Sequence, residues 1–182
     1  MTGNYLKSTQ AMYAAEAGVN NGLVHYYFGS MEEVFVQVLE RFTVKLIERQ
    51  REMYSADVPF LEKWRTAWGY QEEDIDDGYS KIWLELQAMA WNNSDLRERV
   101  AKVEDEWRAV LTEAFTTALR EYGVEDRFPP EAMVPMVMTF AQGFTLERLM
   151  GITTGHEELL KWIEQWLVSL EKAKDETSSE AN

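Results

Sequence analysis

Cysteine is missing from the 182 residues, which excludes disulfides and thiolate metal sites. With no secretory leader pattern either, the expected setting is a soluble protein in a reducing cytoplasm. Histidine occurs only as His25 and His156. Neither has a cysteine, a Ser-x-x-Lys or a carboxylate partner at a spacing that nucleophilic or acid–base chemistry requires, so no catalytic residue is expected. The pairs Glu72-Glu73, Asp76-Asp77 and Glu104-Asp105 fall in no HExxH, EF-hand or Glu-x-x-His arrangement, so no metal or other cofactor is expected. No apolar run approaches the roughly 18 residues that cross a bilayer, which argues against a membrane partner. Prolines (4) and glycines (10) are few, and no longer period repeats, which disfavours sandwiches, solenoids and linkers. Positive charge is short as well: 18 Lys and Arg against 32 Asp and Glu leave a formal charge of −14.

What is present is helical periodicity, sharpest in the stretch from Ala14 to Phe28. Ser8-Thr9 can cap a first helix on which Met12, Tyr13 and Ala17 share roughly one face. Gly18 supplies the positive-φ position where that helix ends, and Val19 plugs the turn. Asn20 or Asn21 can cap a second helix, with Leu23, Val24 and Tyr27-Phe28 turned inward and Asn20, Asn21, His25 and Tyr26 turned outward. This is the pattern of a helix-turn-helix, and the second helix is its recognition helix. Ser30-Met31-Glu32-Glu33 is a capping box that opens a long third helix through Val34, Phe35, Val38, Leu39 and Phe42.

These residues resemble the DNA-binding end of the TetR family of repressors. The resemblance is carried by Thr9, Tyr13-Ala14, Ala17-Gly18-Val19-Asn20, Gly22, His25, Tyr27-Phe28 and Ser30-Met31-Glu32-Glu33-Val34, and covers roughly residues 5 to 42. It implies a homodimeric, all-α, one-component regulator: a small helix-turn-helix head on double-stranded DNA, and a larger helical domain for ligand binding and dimerisation. The chain departs from the family pattern at Gln10, Ala11 and Met31, where an apolar, a basic and a phosphate-contacting Lys position stand in the family. The family also places an apolar helix before the equivalent of Asn4-Tyr5, where Met1-Thr2-Gly3 stand here. On this resemblance the DNA-contacting set is Lys7, Thr9, Asn20, Asn21, His25 and Tyr26.

Charge separates the two parts. Residues 1–30 hold one Lys (Lys7) and one Glu (Glu16), and residues 1–51 hold five basic and five acidic residues, so the whole −14 lies on residues 52–182. A DNA-binding head usually carries a basic footprint. A neutral one predicts weak binding that leans on hydrogen bonds and dimerisation. The expected division is a head over 1–45, a ligand-binding and dimerisation domain over 46–174, and a disordered polar tail over 175–182.

Five more helices are expected after residue 53. One starts at Asp57-Val58-Pro59 and ends in the acidic run Glu72 to Asp77; another follows Gly78. Asn93-Ser94-Asp95 caps a long helix stopped at Gly123, and Pro129-Pro130 opens one in which Pro135 should bend the first turns. Thr154-Gly155-His156-Glu157 reads as a capping box for the last, with His156 on the surface.

The last two helices resemble, in position and length, the pair that forms the TetR dimer interface. Phe140, Phe144, Trp162 and Trp166 are its candidate anchors, with Gly143 at a point of close approach. Apolar width alone also fits a plain monomer core. Trp64, Trp68, Trp83, Met89, Trp107 and Phe115 are candidates to surround a cavity for an apolar or aromatic small-molecule effector, alongside Tyr79 and Trp91. Core packing is the competing reading for each. Glu85 and Gln87 are candidates to orient such a ligand, against the reading of a solvated face.

Two functions stay open. One is a ligand-responsive repressor whose helix from Ser30 to Met53 acts as a lever between effector and head. The other is a relative that no longer binds DNA and serves as a dimeric ligand-binding or interaction module.

Overall fold

A computed structural model describes residues 26–180 except 28 and 30. Among these the regular structure is helical throughout, in six helices: α1 (Met31–Ser55), α2 (Phe60–Asp76), α3 (Tyr79–Ala90), α4 (Ser94–Glu121), α5 (Pro130–Leu149) and α6 (His156–Glu180). The chain divides into two compact units, Met1–Phe42 and Thr43–Asn182, so α1 runs from one into the other.

Local chemistry sets most helix ends in the second unit. Pro59 precedes α2, and Gly78, at φ +80°, precedes α3. The Asn93 side chain accepts from the Leu96 N–H at 3.1 Å, capping α4 as its Asn-Ser-Asp sequence predicts. At the other end Gly123 takes φ +65°, with Gly123 N–H on Arg120 O and Val124 N–H on Leu119 O, both at 3.0 Å. That crossed pair satisfies two carbonyls a helix end would otherwise leave open. Pro130 is the first residue of α5, where a missing N–H costs nothing, and the helix continues through Pro135.

Two expectations at the last helix are corrected. Leu159 N–H bonds to Gly155 O, so the cap position is Gly155, at φ +80°, and not Thr154. The helix then runs to Glu180, through most of the segment 175–182 that sequence polarity assigned to a disordered tail. Residues 171–176 are Glu, Lys and Ala, with one Asp. They are mostly good helix formers, and extending an existing helix needs no new nucleus.

The second unit is organised around α4, whose most extensive packing is against α5 and α3; α2 packs on α3 and α6. Phe115, Leu119, Met133 and Val134 form a buried cluster between α4 and α5, closed by Phe60, Phe128 and Trp166 among others. Leu86, Leu96, Val100 and Val103 extend burial along α3 and α4. The part of α1 from Thr43 onward is fastened into this unit. Arg49 reaches Glu73 at 3.2 Å and Asp74 at 2.9 Å and lies over the Tyr70 ring, while Lys63 Nζ donates to Tyr54 O at 2.7 Å. On the far side, Glu171 of α6 accepts from the Tyr122 hydroxyl and the Leu61 N–H.

Candidate functional site

A cavity of about 760 Å³ lies within the second unit, walled by the end of α1 and by α2, α3, α4 and α5. Helical spacing explains who lines it. On α3 the lining residues Tyr79, Ser80, Trp83, Leu84, Gln87, Ala90 and Trp91 follow one stripe at intervals of three and four. On α4 the same spacing brings Arg97, Val100, Glu104, Trp107, Arg108, Leu111 and Phe115 to the wall, and on α2 it brings Phe60, Trp64, Ala67, Trp68, Gln71 and Asp74.

The aromatic wall is ordered. Trp64 stacks on Trp68 at 5.7 Å, Trp68 stacks on Phe140 at 5.9 Å, and Phe144 meets Trp68 edge-on at 4.5 Å. Such offset and edge contacts hold rings rigidly without filling space. Trp91 lines the cavity yet is 77 % exposed, which places it at the rim.

A polar strip crosses this wall. Gln142 Nε2 donates to Gln87 Oε1 at 2.6 Å, and Gln87 Nε2 donates to Glu104 Oε1 at 3.0 Å, joining α5, α3 and α4. Gln71 Nε2 donates to Thr145 Oγ1 at 2.5 Å. Burial raises the Glu104 carboxyl above its ordinary value, opposed by the Arg108 charge and by the Gln87 bond. Asp74 is raised for the same reason, opposed by Arg49. Tyr79, its hydroxyl 3.1 Å from Thr43 Oγ1, is pushed up to about 12, chiefly by burial.

Of the effector residues expected from sequence, Trp64, Trp68, Trp83, Trp107 and Phe115 come together on this one cavity. Met89 is off the lining stripe of α3, and so is Glu85, whereas Gln87 is on it. Six residues of separation from Trp83 turns Met89 well over a right angle away from the wall. Sequence reading missed Tyr54, Gln71, Glu104 and Gln142. Gln71, Glu104 and Gln142 are polar residues hydrogen-bonded to a partner on another helix.

The candidate dimer anchors divide. Phe144 is 5 % exposed in the single chain, wedged between Trp68 and the His156 ring at 4.1 Å, and Phe140 lines the cavity. Phe144 is closed off within the chain, which corrects its assignment to the interface, while Phe140 is half-buried. Trp166 packs on Phe128, and Trp162 is 62 % exposed. The outward side of α5 carries Met136 and Leu146, with Met150 just past its end and Gly143 open to solvent between them. Met136 and Leu146 stand about 80° apart around the helix axis, on one broad side. His156, expected on the surface, is buried. Its Nε2 lies 2.7 Å from Glu147 Oε2, because the turn through Gly151 and Gly155 brings the start of α6 back onto the end of α5.

The DNA-contacting candidates Lys7, Thr9, Asn20, Asn21 and His25 lie outside the described residues, as does the Ser30 cap. Tyr26 and Tyr27 are both exposed, with their rings edge to face at 5.0 Å. Tyr27 was expected inward. Neighbouring helical residues point about 100° apart, which leaves room for both on the wet side.

Residues 71–171 match the family model for the C-terminal part of BetI-type transcriptional repressors. Neither a curated protein nor a solved structure matches the chain.

Proposed function

The chain belongs to the TetR family of transcriptional regulators, and from that premise we propose that it is a homodimeric, cytoplasmic repressor released from its DNA operator by a small effector with a large apolar or aromatic surface. The observation that carries this reading is the 760 Å³ cavity, which lies largely within the family-matched segment and gathers all the aromatic residues singled out for an effector, leaving out only Met89. Its volume and aromatic lining suit a drug-sized molecule.

The mechanism follows from what α1 joins. Its C-terminal half touches the effector wall through Gln50 and Tyr54 and is clamped to α2 by Arg49, while its first residues belong to the unit that carries the helix-turn-helix sequence. An effector that favours one setting of α1 over another changes the spacing of two heads in a dimer. The heads contact DNA through Lys7, Thr9, Asn20, Asn21, His25 and Tyr26, from recognition helices one turn of the duplex apart. Pairing uses Met136 and Leu146 of α5, Met150 just after it, and Leu159 and Trp162 of α6, all exposed in the single chain. Open space at Gly143 permits close helix approach.

The test is a fluorescence-anisotropy titration against duplex from the region beside the protein's own gene, at two salt concentrations, with an Asn21→Ala/Tyr26→Ala variant as control. Saturable, salt-sensitive binding that the variant loses and an effector reverses is expected. A folded dimer that binds no duplex supports the second reading, a ligand-binding module without an operator, which the neutral charge of residues 1–30 favours.

A further inference from the structure

The cavity is aromatic and also carries charge: Asp74 and Glu104 line it, and so do Arg97 and Arg108. Trp83 and Gln87 are four residues apart on α3, and Glu104 and Trp107 are three apart on α4; all four line the cavity. The 3.0 Å bond from Gln87 to Glu104 ties the two pairs together. Side chains three or four apart stand on one helix face, so Trp107 shares a face with Glu104, and Trp83 shares one with Gln87, the carboxylate's hydrogen-bond partner.

The hydrogen bonds along this strip have a forced direction. An ionised carboxylate only accepts, so Gln87 turns its amide nitrogen to Glu104 and presents its oxygen to Gln142, whose nitrogen fills it at 2.6 Å. Donors thus run toward the carboxylate, and the acceptor at the end of the strip is Glu104 on α4. Of the positive side chains, Arg49 is held by Glu73 and Asp74, while Arg97 and Arg108 line the cavity but are largely exposed to solvent, and Arg108 acts on Glu104 through space.

We infer that the cavity selects a bulky organic cation, its charge set against Glu104 and its body against the faces of Trp83 and Trp107. A π-face attracts a cation and repels an anion, and a partly desolvated carboxylate reinforces that sign. The volume, about 760 Å³, calls for a body of several rings and not a small ammonium ion. This inference rests on the reading of the cavity as an effector site and adds the sign of the effector's charge.

Tetraphenylphosphonium and tetraphenylborate share one shape and carry opposite charge; triphenylphosphine oxide is a neutral companion. Titration of the full chain with each, followed by tryptophan quenching and calorimetric stoichiometry at physiological salt, reads the preference directly. The phosphonium is expected to bind one per chain at least about tenfold tighter than the borate. Glu104→Gln should cut that ratio by about tenfold, while Glu106→Gln, which removes an exposed carboxylate from the same helix, should leave it unchanged. The Glu106 control separates the site from the general attraction of a chain with charge −14. Equal affinity for the two ions, or a preference that Glu104→Gln leaves intact, overturns the cation inference and leaves an effector cavity of apolar ligands standing. Failure of all three probes to bind removes the effector cavity and the inference together.

Discussion

Two neighbouring parts of the second unit, which meet at Phe115, use large apolar side chains to opposite effect. In one, Phe115, Leu119, Met133 and Val134 close on each other, with Val134 at 2 % exposure. In the other, Trp64, Trp68, Trp83 and Trp107 stand around open volume. The packed part uses branched and flexible side chains that interdigitate; the open part uses flat rings that stack at 5.7 and 5.9 Å and prop the helices apart. An aromatic stripe therefore becomes core or cavity according to what faces it.

The sharpest way to break this contrast is a pair of truncations. Leu119→Ala should cost about 3 kcal/mol, since it opens a void where none exists. Trp107→Ala, on a wall already open, should cost about 1 kcal/mol. Denaturant unfolding of both variants measures the difference, and equal losses would mean the cavity is closed by packing in solution.

The inner and outer faces of α5 extend the comparison. Met150→Glu, exposed and just past the end of α5, should weaken self-association by about a hundredfold in sedimentation equilibrium while leaving the helical signal intact. Phe144→Leu, on the inner face, should lower the melting temperature without changing the oligomeric state. The reverse outcome would restore Phe144 to the interface.

Smaller is the effect of one wall residue on effector affinity. Trp68→Leu removes the ring that Trp64, Phe140 and Phe144 all touch, and should lower affinity for a cavity ligand by about tenfold, read by calorimetry.

The smallest effect concerns the buried acid. Glu104 is raised, so the folded chain holds its proton more tightly than the unfolded chain does. Its contribution to stability is fully present below the ordinary carboxylate range and is lost as pH rises through the raised value. Glu104→Gln should thus gain roughly 2 °C in melting temperature at neutral pH and nothing near pH 4. A gain that persists in acid would locate the cost in geometry and not in charge.

Legibility in the sequence follows the range of the interactions involved. Asn93, Gly123 and Pro130 announced the limits of α4 and α5 because capping acts across a few residues. The five helices after α1 were readable for the same reason. The inward face of α5 was not: Met133, Val134, Met136, Val137, Met138 and Phe140 are apolar on every side, so periodicity gave no direction, and Phe140 and Phe144 were assigned outward. The Gln142–Gln87–Glu104 strip was equally hidden, since its members stand 55 and 17 residues apart and each alone resembles a solvated polar side chain.

The sequence by itself determined an all-helical regulator of the TetR kind, with its helix ends and its acidic second unit, because caps, periods and charge are local sums. Only the tertiary structure decided which apolar side chains close on one another, which surround a cavity, and which carboxylate faces it. Those outcomes depend on helices brought together from distant parts of the chain, where a partner's shape sets the cost of burial.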